Sequence, residues 1–275
     1  MRIVGYESGG SVHVGARDGD DLIPLGPVEE FWTDPRAAVA AAGSITQRVP
    51  VHSLQLAPPV TPSARVLCVG LNYREHVAEG PFEVPDHPTI FGRWTTSLTV
   101  GGTPVAAPVD EQGLDWEAEV LVAVAEPISV ADPAEAAKAV FGYAAFNDIT
   151  ARRAQKLTTQ WTIGKNADGS GPMSDLVTAD EVGELGSRAV VCRVNGEVVQ
   201  SSTTDMMIFS VGDILSFVSR TFTLRPGDLV ATGTPSGVGY ARTPPRFLQP
   251  GDEVEVSVEG IASVRTPIAE RSVVR

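Results

Sequence analysis

Leu114-Asp-Trp-Glu-Ala-Glu-Val120 runs straight into the apolar stretch Leu121–Ala125 and sets Glu117 and Glu119 two residues apart at the mouth of a strand. A strand's period of two aims both carboxylates at one face. Like charges side by side are destabilising unless something positive sits between them, and a divalent cation meets that need. The plain alternative is a pair of solvated glutamates on an exposed strand face. Asp148 adds a third oxygen donor, placed just after the apolar stretch Ala139–Phe146 where a second strand should end. Three carboxylates with no Cys or His at ligand spacing select a hard cation, Mg²⁺, Mn²⁺ or Ca²⁺, over Zn²⁺.

The chain has 275 residues and is 43% apolar, enough for a full core. Its net charge of −13 and lack of any Lys/Arg cluster argue against nucleic-acid binding. An anionic substrate would be repelled by that field, so a carboxylate ligand needs a local cation. The first residues carry acid and no apolar h-region, which predicts neither signal nor transit peptide, and no apolar run approaches the roughly 20 residues of a membrane span. Cys68 and Cys192 are the only cysteines, and both sit in apolar strand-like runs. They read as buried free thiols of a reducing cytoplasm.

Residues 1–60 read as a small N-terminal α/β domain: strands over Arg2–Tyr6 and Ser11–Ala16, and an Ala-rich helix over Asp34–Ala42 behind an Asp-Pro cap. Pro58, Pro59 and Pro62 punctuate the boundary with a main domain over 61–275. There a strand is expected at Arg65–Gly70, a helix over Asn72–Gly80, and a loop over Gly80–Pro88 with the composition of a mobile segment. Strands follow at Gly101–Ala107, Glu117–Ala125, Arg188–Asn195, Glu197–Gln200, Leu229–Thr232 and Glu253–Val258. Asn195-Gly196 is a type I′ hairpin signal. Helices are expected at Asp132–Val140 and Ser210–Ser219. Strands and helices do not alternate regularly, so the fold class is mixed α+β and mostly β.

His76 and Glu79 lie three apart and share a helix face. An exposed pair of this kind is usually a surface ion pair, whereas a buried one orients the imidazole as a general base. Lys165 precedes a Gly-rich loop, but the Walker pattern is absent. The turn Gly233–Gly239 lacks a dinucleotide fingerprint. Both segments suit turns that hold an anion such as a carboxylate.

Taken together, Val69–Glu79, Leu114–Glu119, Gly142–Gln155, Trp161–Lys165, Arg193–Gln200, Leu224–Asp228 and Thr232–Gly239 resemble, in order, the motifs of the fumarylacetoacetate hydrolase family. The resemblance implies a rolled, mixed β-sandwich catalytic domain, dimeric, with Mg²⁺ or Mn²⁺ at its centre. By motif match Glu117, Glu119 and Asp148 would be metal ligands. His76 and Glu79 would be a water-activating dyad on a lid, with Lys165 and Gln155 in the active site. Thr234 and Gly233, with Tyr73, Arg93 and Arg152, would contact substrate. Phe91-Gly-Arg-Trp94, Asn166-Ala-Asp168 and Val264-Arg-Thr-Pro267 depart from the family's usual Phe-x-Lys-Pro, Ser-Phe-Asp and Leu-Arg-Asn-Pro, which points to Arg93 and Trp94 as selectors of substrate.

The implied chemistry is cleavage of a C–C bond in a 1,3-diketone or acylpyruvate, with the metal stabilising the enolate, in catabolism of aromatic compounds. The alternative at the same site is decarboxylation or isomerisation of a 2-oxo acid or 2-hydroxydienoate, as in an oxaloacetate decarboxylase or a 2-hydroxyhepta-2,4-diene-1,7-dioate isomerase. A non-catalytic ligand-binding relative is the third reading.

Overall fold

The computed structural model describes residues 1–80 and 83–271. Residues 81 and 82 of the Gly80–Pro88 loop lie outside it. The architecture is mostly β and mixed, as expected. The large sheet runs in the order Val49–Pro50, Asp21–Pro27, Ser11–Asp18, Arg2–Ser8, Leu176–Thr178, Val140–Asn147, Ala118–Val124, Leu229–Ala231, Val66–Gly70, Thr89–Arg93. Most neighbours are antiparallel, and Leu229–Ala231 pairs in parallel with Val66–Gly70. A smaller sheet orders Glu197–Thr203, Ala189–Val194, Glu253–Val258, Ala262–Ala269 and Val105–Ala106.

The strand Ala118–Val124 lies at the centre and is buried along its whole length. Val120, Val122 and Val124 face a core shared with Val190, Cys192, Val254 and Val256 of the smaller sheet. Leu121 and Ala123 face the opposite core, with Phe31, Trp32, Phe146 and Leu176. Burial on both faces explains why the segment reads as a continuous apolar run. Glu119 belongs by parity to the second face, at the strand end where that core gives way to a cavity.

One sheet crosses the expected boundary at residue 60. Arg2 and Ile3 pair with Val177 and Leu176. Phe31 and Trp32 meet Phe141 edge-on at 5.7 and 5.1 Å. The N-terminal strands therefore extend the main sheet and share its core.

Local signals explain several elements. Ser210 caps Val211–Ser219 in a reciprocal box with Asp213. Asp34 accepts from Ala37 N at the start of Pro35–Ala41. Asn195 and Gly196 take φ of 53° and 83°, as a type I′ turn requires. Two expectations need correction. Gly101–Ala107 is not one strand: a turn at Gly101-Gly102 separates Leu98–Val100 from Val105–Ala106, which join different sheets. The helix expected over Asn72–Gly80 shrinks to Arg74–Val77. Asn72 cannot cap it, because its side chain accepts from Phe209 N and donates to Thr232 O.

Candidate active site

The register of two strands brings the three carboxylates together. Ala118 pairs with Asn147 and Glu119 with Phe146. Beyond the last pair, Asp148 N donates to Glu117 O and Glu117 N donates to Asn147 Oδ1. One ligand atom from each of Glu117, Glu119 and Asp148 falls within 4.8 Å of the others, and all three side chains are buried. The alternative of two solvated glutamates is thereby excluded.

Cations surround two of the three. Lys165 Nζ donates to Glu117 Oε2 at 2.5 Å and to Asp148 Oδ2 at 2.6 Å. Arg152 reaches Glu117 Oε1 at 2.7 Å. Burial would raise the Glu117 carboxyl, but Lys165, Arg152 and His76 outweigh it and hold it at about 2. Glu119 has only the Gly233 amide, at 2.8 Å. Burial, then Asp148 and Glu117, drive its carboxyl well above the usual range. Four buried carboxylates, with Asp115 included, thus face three buried cations: Arg93, Arg152 and Lys165.

That imbalance is the test for a metal. The donor set is all oxygen, clustered and buried, and one carboxylate lacks a positive partner among the described residues. It fits a hard divalent cation, which Glu117, Glu119 and Asp148 would hold.

The dyad stands in the same cavity. His76 Nδ1 lies 2.8 Å from Glu79 Oε2, and the His76 side chain is only 9% exposed. Glu79 Oε1 accepts from Gly237 N at 2.7 Å, so the turn after Thr234 fixes the carboxylate that fixes the imidazole. Nδ1 is committed, which leaves Nε2 toward the cavity.

The cavity has a volume of about 660 Å³ and is lined by His76, Glu79, Glu117, Glu119, Gln155, Lys165 and Thr234, with Arg152 and Tyr240 alongside. Gln155 accepts from Arg152 Nη1 at 3.0 Å. Gly164 lets the two short helices Arg152–Lys156 and Thr162–Lys165 meet, since a Cβ there would stand 2.5 Å from Gln155 Cα. That contact sets Lys165 beside Gln155. A larger apolar cavity of about 1130 Å³, between Val39, Pro133, Phe141 and Val211, contains none of these residues.

Four residues expected at the substrate do not face the cavity. Arg93 is buried behind Asp148, and all its N–H groups are spent inside the protein. Nε donates to Asp148 Oδ1 at 2.5 Å, Nη1 to Ser97 and Ser170 hydroxyls, and Nη2 to the carbonyls of Ile149 and Ser170. It orients a candidate metal ligand and has no donor left for substrate. Trp94 points to solvent at 55% exposure. Gly233 spends its amide on Glu119. Tyr73 is buried outside the cavity lining, its hydroxyl raised by burial and by Glu119.

Two residues were missed. Asp115 accepts from Trp116, Gly239 and Tyr240 amides and from Arg152 Nε, tying the acidic strand to the 237–240 turn. Gln200 accepts from Ala118 N and donates to Thr234 Oγ1 at 2.8 Å, linking the smaller sheet to the same turn. Both sit inside quoted motifs, but only their three-dimensional partners reveal the role.

Known proteins are similar to this chain in sequence and fold. The sequence pattern of the Fumarylacetoacetate (FAA) hydrolase C-terminal family matches residues 65–269. Oxaloacetate tautomerase Fahd2a, mitochondrial, of Rattus norvegicus is 34% identical over 267 residues, covering 95% of this chain and 85% of that protein. The structure of fumarylacetoacetate hydrolase from psychrophilic Exiguobacterium antarcticum superposes with a TM-score of 0.82 at 33% identity, covering 98% of this chain and 100% of that one. Fumarylpyruvate hydrolase from Pseudomonas aeruginosa, solved in complex with Mn²⁺ and pyruvate, gives a TM-score of 0.70 at 31% identity, covering 79% of this chain and 92% of that one. With a family match over residues 65–269, the chain belongs to the fumarylacetoacetate hydrolase family.

Proposed function

We propose that this protein is a divalent-metal-dependent hydrolase that cleaves a C–C bond in a 2,4-dioxo acid of the acylpyruvate type. The observation that carries the reading is the His76–Glu79 pair at 2.8 Å in the same cavity as the acidic trio. His76 Nε2 takes a proton from water, and Glu79 stabilises the imidazolium. The hydroxide adds to C4, and the C3–C4 bond breaks with its electron pair left on C3. Protonation at C3 completes a 2-oxo acid, and the other fragment leaves as a carboxylic acid. Lys165 has one N–H beyond those given to Glu117 and Asp148, and with Gln155 it can donate to developing oxyanion charge. A bound Mg²⁺ or Mn²⁺ supplies the positive charge that makes an enolate leaving group accessible.

A second reading is favoured by the 34% identity to the rat oxaloacetate tautomerase. There the same acidic site acts without an attacking water, and a proton moves between C3 and the enol oxygen of a 2-oxo acid. One experiment separates the two: acid release from acylpyruvates against the loss of enol absorbance and release of carbon dioxide from oxaloacetate, each with and without Mg²⁺. Metal-dependent acid release supports hydrolysis. Enol turnover without acid release replaces it with the second reading, and no metal-dependent activity on either substrate overturns both.

A further inference from the structure

We propose that Gln200 fixes the polarity of the Thr234 hydroxyl, so that Thr234 meets the substrate as a hydrogen-bond donor. Gln200 is then a positioning residue that acts on the cavity from the smaller sheet. The inference rests on the 2-oxo acid reading above and deepens it.

The two ends of the Gln200 amide differ chemically, and its fixed neighbours decide which end lies where. Ala118 N, which can only donate, donates to Oε1 at 2.9 Å. Pro235 O, which can only accept, takes a bond from Nε2 at 2.8 Å. Turning the amide by 180° would set oxygen against oxygen and one N–H against another. Nε2 therefore also donates in its remaining contact, to Thr234 Oγ1 at 2.8 Å. Gln200 is only 2% exposed, so bulk water offers no competing partner.

A hydroxyl has one proton and two lone pairs. With one lone pair held by Gln200, the Thr234 proton is turned away from the amide, and no group among the described residues accepts it. Thr234 is buried and lines the same cavity as His76, Glu119 and Lys165. A buried O–H without an acceptor is costly, and a carboxylate or enolate oxygen in the cavity supplies one. Ala118 lies between Glu117 and Glu119, so the direction of this donor is tied to the strand that carries two candidate metal ligands.

The test is a double-mutant cycle on pyruvate affinity, read by calorimetry in saturating Mg²⁺ at about pH 8, above the usual Glu range. Gln200→Glu keeps an acceptor for Ala118 N but gives Thr234 an acceptor where it had a donor. The Thr234 proton then turns to that carboxylate and is lost to the ligand. Thr234→Val removes the proton outright, and Thr234→Ser keeps it. Gln200→Glu and Thr234→Val should each weaken pyruvate binding about tenfold, as loss of a hydrogen bond to a charged group does. The double variant should bind no more weakly than either single one, because both substitutions withdraw the same proton. Thr234→Ser should stay close to the wild type. A further loss in the double variant shows that Gln200→Glu acts by its charge or by distortion, and overturns the proposal. Wild-type affinity in either single variant overturns it too. Should Gln200→Glu fail to fold, the Thr234 pair still decides: wild-type binding by Thr234→Val, or a loss in Thr234→Ser as large as in Thr234→Val, overturns the donor role. No pyruvate binding by the wild type overturns the 2-oxo acid reading, and the donor role with it.

Discussion

The Gly233 amide donates to Glu119 Oε2 at 2.8 Å, and Gly233 makes this contact with φ at 98°. Few residues but glycine hold that conformation at low cost. A Cβ there would also stand 2.7 Å from Asn72 Cβ and 3.0 Å from Val69 O. Gly233→Ala should therefore cost about 1–3 kcal/mol of stability in urea unfolding and weaken Mg²⁺ binding by calorimetry. Unchanged values for both would show that the amide does not orient Glu119.

Among the described residues Glu119 is the one member of the trio without an ion-paired cation, and its neutral form is favoured by burial, Asp148 and Glu117. Glu119→Gln mimics that neutral form. Its metal-free stability should stay within about 1 kcal/mol of wild type, since no ion pair is lost. The rise in Tm that Mn²⁺ produces in the wild type should disappear, because a ligand stabilises only the state that binds it. A full Mn²⁺-induced shift in the variant would remove Glu119 from the ligand set.

The same shift predicts a proton exchange. A raised carboxyl in the metal-free protein means that Glu119 carries a proton into the range where ordinary carboxylates are ionised. Metal binding must displace it, so Mg²⁺ affinity should rise as pH rises and level off once Glu119 is ionised in the free protein. Calorimetry in buffers of different ionisation heat reads the released proton directly. Affinity that stays flat or falls with pH in that range would contradict the burial and charge argument.

Arg93 should be structural, with no part in selecting substrate. Its side chain is fully enclosed and holds Asp148 Oδ1, which Lys165 meets from the other oxygen. Arg93→Met removes one of the two buried cations on Asp148 and should cost about 3–5 kcal/mol, read from the urea midpoint. Whatever folded fraction remains should keep the wild-type ranking among 2-oxo acids. A change in ranking with little loss of stability would return Arg93 to the substrate.

The acidic strand was legible because period two and an apolar run both act locally. Glu117 and Glu119 therefore emerge from sequence alone, and Asp148 follows from the end of its neighbour strand. Arg93 was misplaced for the opposite reason. Its motif lies close to the pocket in sequence, but four hydrogen bonds to the distant Asp148, Ile149 and Ser170 turn it behind Asp148. Asp115 and Gln200 were hidden because each works by long-range contact, to Gly239 and Tyr240 and to Thr234. The N-terminal strands read well as local structure, whereas their pairing with Leu176–Thr178 depends on a register across more than 170 residues.

The His76–Glu79 pair decides between the two reactions. In hydrolysis His76 must accept a proton from water, so His76→Ala should lower acid release by about 10²–10⁴-fold. Glu79→Gln keeps an acceptor for the Gly237 amide but loses the charge that stabilises the imidazolium. It should retain more activity than His76→Ala in the same acid-release assay. Oxaloacetate chemistry needs no attacking water and should survive His76→Ala to within about tenfold, less than the loss of one general base. Equal loss of both reactions in His76→Ala would show that His76 moves a proton common to the two, and would move the assignment to proton transfer at carbon.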